Sequence, residues 1–191
     1  MKTIKENIIS ELEIKNSKFI ALLIKIDNSD ITDILNNIKK SYPKATHYCY
    51  AYIYNDIEKS SDDGEPGGTA GLPILNVIKK ENLNNILVVV VRYFGGIKLG
   101  AGGLVRAYTK SVTEALKSTN LVELIKGLKI ELEFNYNDEK QINYILNNSK
   151  IIDKTYNETI KYIVLIENNI LDKLSNYNLN ILEEIYIEKD S

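Results

Sequence analysis

The sequence predicts an α+β protein in two domains, and three observations carry that expectation. "THYCYAYIY" places tyrosines at 48, 50, 52 and 54, the two-residue period of a strand. Ile31, Ile34, Leu35 and Ile38 recur at the spacing of one helical face. After Gly127 the patterns restart in βαββαβ order, the sequence of a ferredoxin-like sandwich. The boundary is expected at "IKGLK", giving domains 1–127 and 128–191. Charge follows the same division: the first carries 17 basic and 14 acidic side chains (net +3), the second 7 and 12 (net −5).

In chain order, "IISELEIKNSKFIALLIKI" holds two apolar runs around a polar "KNSK" and reads as an antiparallel hairpin. A helix over 30–41 is expected next, capped by "NSD" and ended before Pro43. The tyrosine-bearing strand leads into a turn-rich loop, "SSDDGEPGG". "TAGLPILNVIKK" reads as a helix with a Thr69 cap and Pro73 in its first turn. "NILVVVVRYF" reads as a strand buried on both faces, and "AGGLVRAYTKSVTEALKS" as a helix opening at its glycines. The second domain is expected to contain strand 128–134, helix 138–148, strands 151–156 and 159–167, a short helix 169–175 and strand 181–187.

Composition narrows the function classes. The longest purely aliphatic run, Ile86–Val91, is too short to span a bilayer, and "MKTIKENIIS" lacks the apolar core of a signal peptide. One cysteine, Cys49, leaves no internal disulfide and points to a reducing cytoplasm. A net charge of −2 gives no global basic footprint for nucleic acid. One histidine and one cysteine cannot build a usual zinc site, and no cofactor-binding motif appears.

Chemistry concentrates in "RYFGGIKLGAGGLVRAY", residues 92–108. The chain has 22 lysines but only two arginines, Arg92 and Arg106, and they bracket five glycines. Strand, glycine loop and helix start together aim unpaired backbone N–H groups at an anion, and arginine adds a bidentate fork. The candidate anion cleft therefore comprises Arg92, Tyr93, Gly95, Gly96, Lys98, Gly100, Gly102, Gly103 and Arg106. The competing reading is that the glycines permit close packing and the arginines make structural ion pairs. The spacing matches neither a Walker A loop nor a clean G-x-G-x-x-G.

Asp62, Asp63 and Glu65 form an acidic loop that reads first as a turn. In a functional variant these carboxylates are the opposite wall of the cleft, paired with the arginines or with a basic ligand. The tyrosine stripe could stack bases on an open sheet, but such stripes more often lie under a helix. His47 and Cys49, two apart on one strand, lack a third orienting group for nucleophilic catalysis.

"HYCYAY", "SDDGEPGGTAGLPIL" and "VVRYFGGIKLGAGGLVRAY" closely resemble the signatures of the YigZ/IMPACT family, and the resemblance covers the whole chain. It implies a first domain similar to the second domain of a small-subunit ribosomal protein superfamily. It also implies a ferredoxin-like second domain similar to the last domain of elongation factor G. Tyr48 stands where many relatives carry a second histidine, so no histidine pair is available. Eukaryotic relatives act in translational control, binding the activator of an amino-acid-starvation kinase; bacterial relatives resemble cytosolic translation-associated or nucleic-acid-binding proteins. Some relatives are labelled proline dipeptidases, a chemistry whose metal cluster this chain does not supply.

The resulting expectation is a non-enzymatic, translation-linked binding protein without a cofactor. Its partners would be RNA, the ribosome or translation factors, and no membrane. Two alternatives come from other classes. One is a phosphoryl-transfer enzyme using the glycine loop, with Asp62, Asp63 or Glu65 holding Mg²⁺. The other is a ribosome-associated adaptor that docks a basic surface through its acidic second domain.

Overall fold

The computed structural model describes residues 1–27 and 30–189 and divides them into two compact units, Met1–Val122 and Glu123–Ser191. The chain is mixed α+β. No helix among the described residues is long and apolar enough to cross a membrane.

A short strand, β1 (Lys2–Ile4), opens the first unit and is held by Lys2 N–H to Asn82 O and Asn84 N–H to Lys2 O. The predicted hairpin follows as β2 (Ile8–Ile14) and β3 (Ser17–Lys25). Its turn residues Lys15 and Asn16 have φ of 47° and 63°. Positive φ at both centres is the primed geometry that matches strand twist. Helix α1 (Ile31–Ser41) begins at Asp30, whose carboxylate accepts the Thr32 N–H at 2.7 Å. Asn28 and Ser29 of the expected "NSD" cap lie outside the described residues.

Strand β4 (His47–Tyr54) turns at Asn55–Asp56 into β5 (Ile57–Ser61), a strand the sequence reading omitted. Its side chains are mostly exposed, so it carries little hydrophobic signal. Helix α2 (Gly71–Lys80), strand β6 (Ile86–Tyr93) and helix α3 (Ala101–Leu116) complete the unit.

The sheet runs β2-β3-β6-β4-β5 with every pairing antiparallel, which puts β6 in the middle. Both its faces are covered. Val88 and Val90 join Phe19, Cys49 and Ala51 in the core under α2 and α3. Leu87, Val89 and Val91 join Ile20 and Leu22 in the core under α1. All six residues of Ile86–Val91 are fully buried, each stabilising by about 1.5–3 kcal/mol relative to exposure. The tyrosine stripe of β4 faces α1, with the Tyr48 hydroxyl donating to Tyr42 O at 2.6 Å. The covered reading of that stripe is the one the structure has.

In the second unit β7 (Leu121–Phe134) is longer than expected. Gly127 reads in sequence as a break, yet it lies mid-strand, where a Cβ would stand 2.7 Å from Ile166 O. Close strand packing, not chain reversal, is its role. A 3₁₀ turn and helix α4 (Glu139–Ile145) lead to β8 (Lys150–Tyr156) and β9 (Ile160–Glu167). The expected second helix is a 3₁₀ segment, Asn168–Leu174, before β10 (Asn178–Glu188). The antiparallel order β10-β7-β9-β8 is the ferredoxin-like arrangement. Alternate residues Leu128–Phe134 of β7 and Ile160–Ile166 of β9 build its core with Ile142, Leu146 and Leu174.

Candidate functional site

The loop between β5 and α2 is organised by Asp62. Its Oδ1 accepts from the N–H groups of Ala70 at 3.0 Å and Gly71 at 2.8 Å, and its Oδ2 from Gly68 at 2.8 Å. Asp62 thus caps α2 from nine residues upstream. The expected Thr69 cap is corrected: that hydroxyl donates to Pro66 O at 2.6 Å, closing the turn. Burial acts to raise the Asp62 carboxyl, but the Gly68, Gly71 and Ala70 N–H groups outweigh it and hold it below the ordinary aspartate range. Asp63 is also engaged. Its Oδ2 accepts the Tyr48 N–H at 2.6 Å, and its backbone oxygen lies 2.8 Å from His47 Nδ1.

Glu65 turns inward. Its Oε1 accepts from Arg92 Nη1 at 2.5 Å and from the Tyr108 hydroxyl at 2.8 Å. Its Oε2 lies 3.8 Å from His47 Nε2. Both members of the Arg92–Glu65 pair are buried, at 4% and 8% exposure. The guanidinium sits over the Phe19 and Phe94 rings, with Nη2 3.4 Å from Ser17 Oγ and Nε without a partner among the described residues. Beneath it, burial pushes the Tyr108 hydroxyl far above the usual phenol range, with Cys49 and Glu65 adding to the shift. Burial likewise pushes the Cys49 thiol up to about 12, and its Sγ donates to Asp62 O at 2.9 Å.

This geometry corrects the expected cleft. Arg92 is not one wall of an open basic surface; it is the cationic half of a buried pair. Asp62 and Glu65 do not form an open acidic wall, because their carboxylates accept from protein donors, whereas Asp63 stays exposed with Oδ2 on the Tyr48 N–H. Among the described residues, no group of three or more histidine, cysteine, aspartate or glutamate side chains is placed to hold a metal ion. Arg106, by contrast, is exposed, and its Nη1 lies 3.7 Å from where a Cβ on Gly102 would stand. Lys98 is also exposed, and neither cation has a carboxylate partner among the described residues. Tyr93 is half-buried, its hydroxyl donating to Pro43 O at 3.2 Å.

The glycines divide by role. A Cβ on Gly95 would run into the backbone of Asn16, and its N–H donates to Ser17 Oγ at 3.1 Å, so this residue seats the loop on the β2–β3 turn. Gly96 and Gly100 carry φ of 85° and 71°, the left-handed conformation that disfavours side chains. Gly103 packs tightly, with Leu99 Cβ 3.0 Å from its Cβ position, whereas Gly102 opens to solvent. Gly100 leads α3 with no side-chain cap and no acidic residue in the first turn. Ser17 and Tyr108, which complete the buried network, carry no pattern in the sequence that marks this role. Tyr108 lies in "VRAY", two residues after Arg106.

The model of the Impact N-terminal domain matches residues 15–116. IMPACT family member YvyE of Bacillus subtilis is 48% identical over 125 residues, covering 63% of this chain and 58% of its own length. The chain thus spans less than two thirds of that relative. IMPACT family member YigZ of Escherichia coli is 36% identical over 152 residues, covering 75% of this chain and 74% of its own. Among solved structures, a crystal structure of a hypothetical protein aligns over 99% of this chain and 98% of its own, with 29% identity and a TM-score of 0.70. The chain therefore belongs to the IMPACT family.

Proposed function

We propose that this chain is a cytoplasmic, non-enzymatic binding protein linked to translation, as the family resemblance implies. Its first unit recognises an anionic ligand, single-stranded RNA or another phosphate-bearing group, at the start of α3. The observation that carries this reading is the pair of exposed, unpartnered cations Lys98 and Arg106 beside a helix start that lacks a cap. Backbone N–H groups there favour negative charge, and Arg106 supplies the fork that lysine lacks. Arg92 acts from below, holding strand, loop and helix in register, and does not touch the ligand.

The test is titration of a fluorescein-labelled single-stranded RNA with the full chain at several salt concentrations. Binding should weaken as salt rises through counterion release, at roughly 0.7 log units per log unit of salt for each phosphate neutralised. Removing both cations in Lys98→Ala with Arg106→Ala should lower that slope by about 1.4. Wild-type binding without salt dependence, or an unchanged slope in the double variant, would overturn the reading.

A further inference from the structure

A groove of about 250 Å³ lies between α2 and α3, away from the buried Arg92–Glu65 network. Leu72, Asn76 and Lys80 line it from α2, and Val105, Thr109 and Thr113 from α3. Each row steps by four residues, so each wall is a ridge of successive helical turns about 12 Å long. Leu72 is 49% exposed and Val105 37%, which leaves two branched apolar side chains in water on facing helices. The surrounding charge is mainly positive. Lys80 stands in the wall, and Arg106 and Lys110 are exposed on α3, each next in sequence to a lining residue. Against them the groove has one lining carboxylate, Glu81, while Glu114 on α3 is paired with Lys117 at 2.8 Å.

We propose that this groove docks an acidic amphipathic helix of a partner protein. The partner's apolar stripe lies between the ridges on Leu72 and Val105, and its carboxylates meet Lys80, Arg106 and Lys110. Two ridges stepped by four accept the i, i+4, i+7 anchors of a helix, the geometry of helix-in-groove recognition. The cationic rim selects an acidic partner over a neutral one and steers its approach. The groove differs from the RNA site, which rests on Lys98 and Arg106 at the start of α3; Arg106 is the one residue shared by both, and Leu72, Val105 and Lys80 belong to the groove.

The experiment uses a fluorescein-labelled peptide with leucines at i, i+4 and i+7 of a glutamate- and alanine-rich helix, titrated with the full chain. A peptide of identical composition with its leucines scattered around the helix is the control. Saturable binding of the first peptide is expected, weakened by added salt. Leu72→Glu with Val105→Glu, and separately Lys80→Glu, should each weaken it at least tenfold. These side chains are exposed, and circular dichroism melts verify that the variants fold. Lys98→Ala should leave peptide binding intact while weakening RNA binding, which separates the two surfaces. The proposal is overturned if the wild type shows no saturation, if the scattered peptide binds equally, or if the groove variants bind as the wild type does. It is equally overturned if sedimentation shows that Leu72→Glu with Val105→Glu abolishes self-association instead.

Discussion

Arg92 Nη1 and Glu65 Oε1 meet at 2.5 Å in a nearly water-free setting and tie the end of β6 to the loop that caps α2. A buried pair of this kind is costly to split, because the surviving charge has no solvent to turn to. Arg92→Ala should lower unfolding free energy by about 3–5 kcal/mol, measured by urea denaturation. Glu65→Ala should cost a similar amount, and the double variant distinctly less than the sum of the two. Additive losses would show that the pair is not coupled.

Asp62 gives the fold an acid sensitivity with a definite sign. Its folded carboxyl lies below the ordinary value, so its contribution is present above the unfolded value of roughly 3.9 and is lost as pH falls through the folded value. Asp62→Asn removes this titration and one negative charge from the helix start. Thermal melts between about pH 6 and pH 3 should therefore fall less steeply for Asp62→Asn than for wild type, from a lower starting point at pH 6. Parallel curves would contradict the clamp.

Where side-chain period and burial coincide, the fold was legible. β4 and β6 have unambiguous patterns because one is covered alternately and the other on both faces. β5 was invisible because it is an exposed edge with no apolar period. Gly127 misled because a glycine that makes room for a neighbouring strand looks, in one dimension, like a glycine that ends one. At the candidate site, the direction in which Arg92 points was not legible. Nothing in "RYFGG" shows that Arg92 points into the core, since that depends on Glu65, 27 residues away, folding inward to meet it. The i+2 alternation of the strand leaves either face open to an arginine at its end.

Gly95 and Gly102 should respond oppositely to alanine. At Gly95 the added methyl meets the Asn16 backbone, which cannot move without opening the β2–β3 turn. Gly95→Ala should lower stability by about 1–3 kcal/mol, as overpacking does. At Gly102 the space is open in the first turn of α3, apart from ordinary contact with Arg106 Nη1, so the substitution should be neutral or stabilising by up to about 1 kcal/mol. Melting temperatures of the two variants discriminate directly. A fall at both positions would mean that the loop tolerates no side chain anywhere, and the division into seated and open glycines would be wrong.

Cys49 is fully buried beside Tyr108 and Asp62, with its thiol pushed up to about 12 by that burial. The thiolate is the reactive form, and at pH 8 burial keeps the folded Cys49 thiol protonated. A free thiol, titrating near 8.5, is roughly one quarter ionised under the same conditions. Suppressed ionisation and lack of access therefore act in the same direction, slowing alkylation of the folded protein relative to the unfolded one. Iodoacetamide at pH 8 should leave the native chain essentially unmodified over hours and modify it within minutes in concentrated urea, as read by mass spectrometry. Arg92→Ala should label faster than wild type, because it loosens the network that closes over the thiol and raises the population of open states. Rapid labelling of the native wild type would show instead that Cys49 is accessible, and its burial in the core under α2 and α3 would be incorrect.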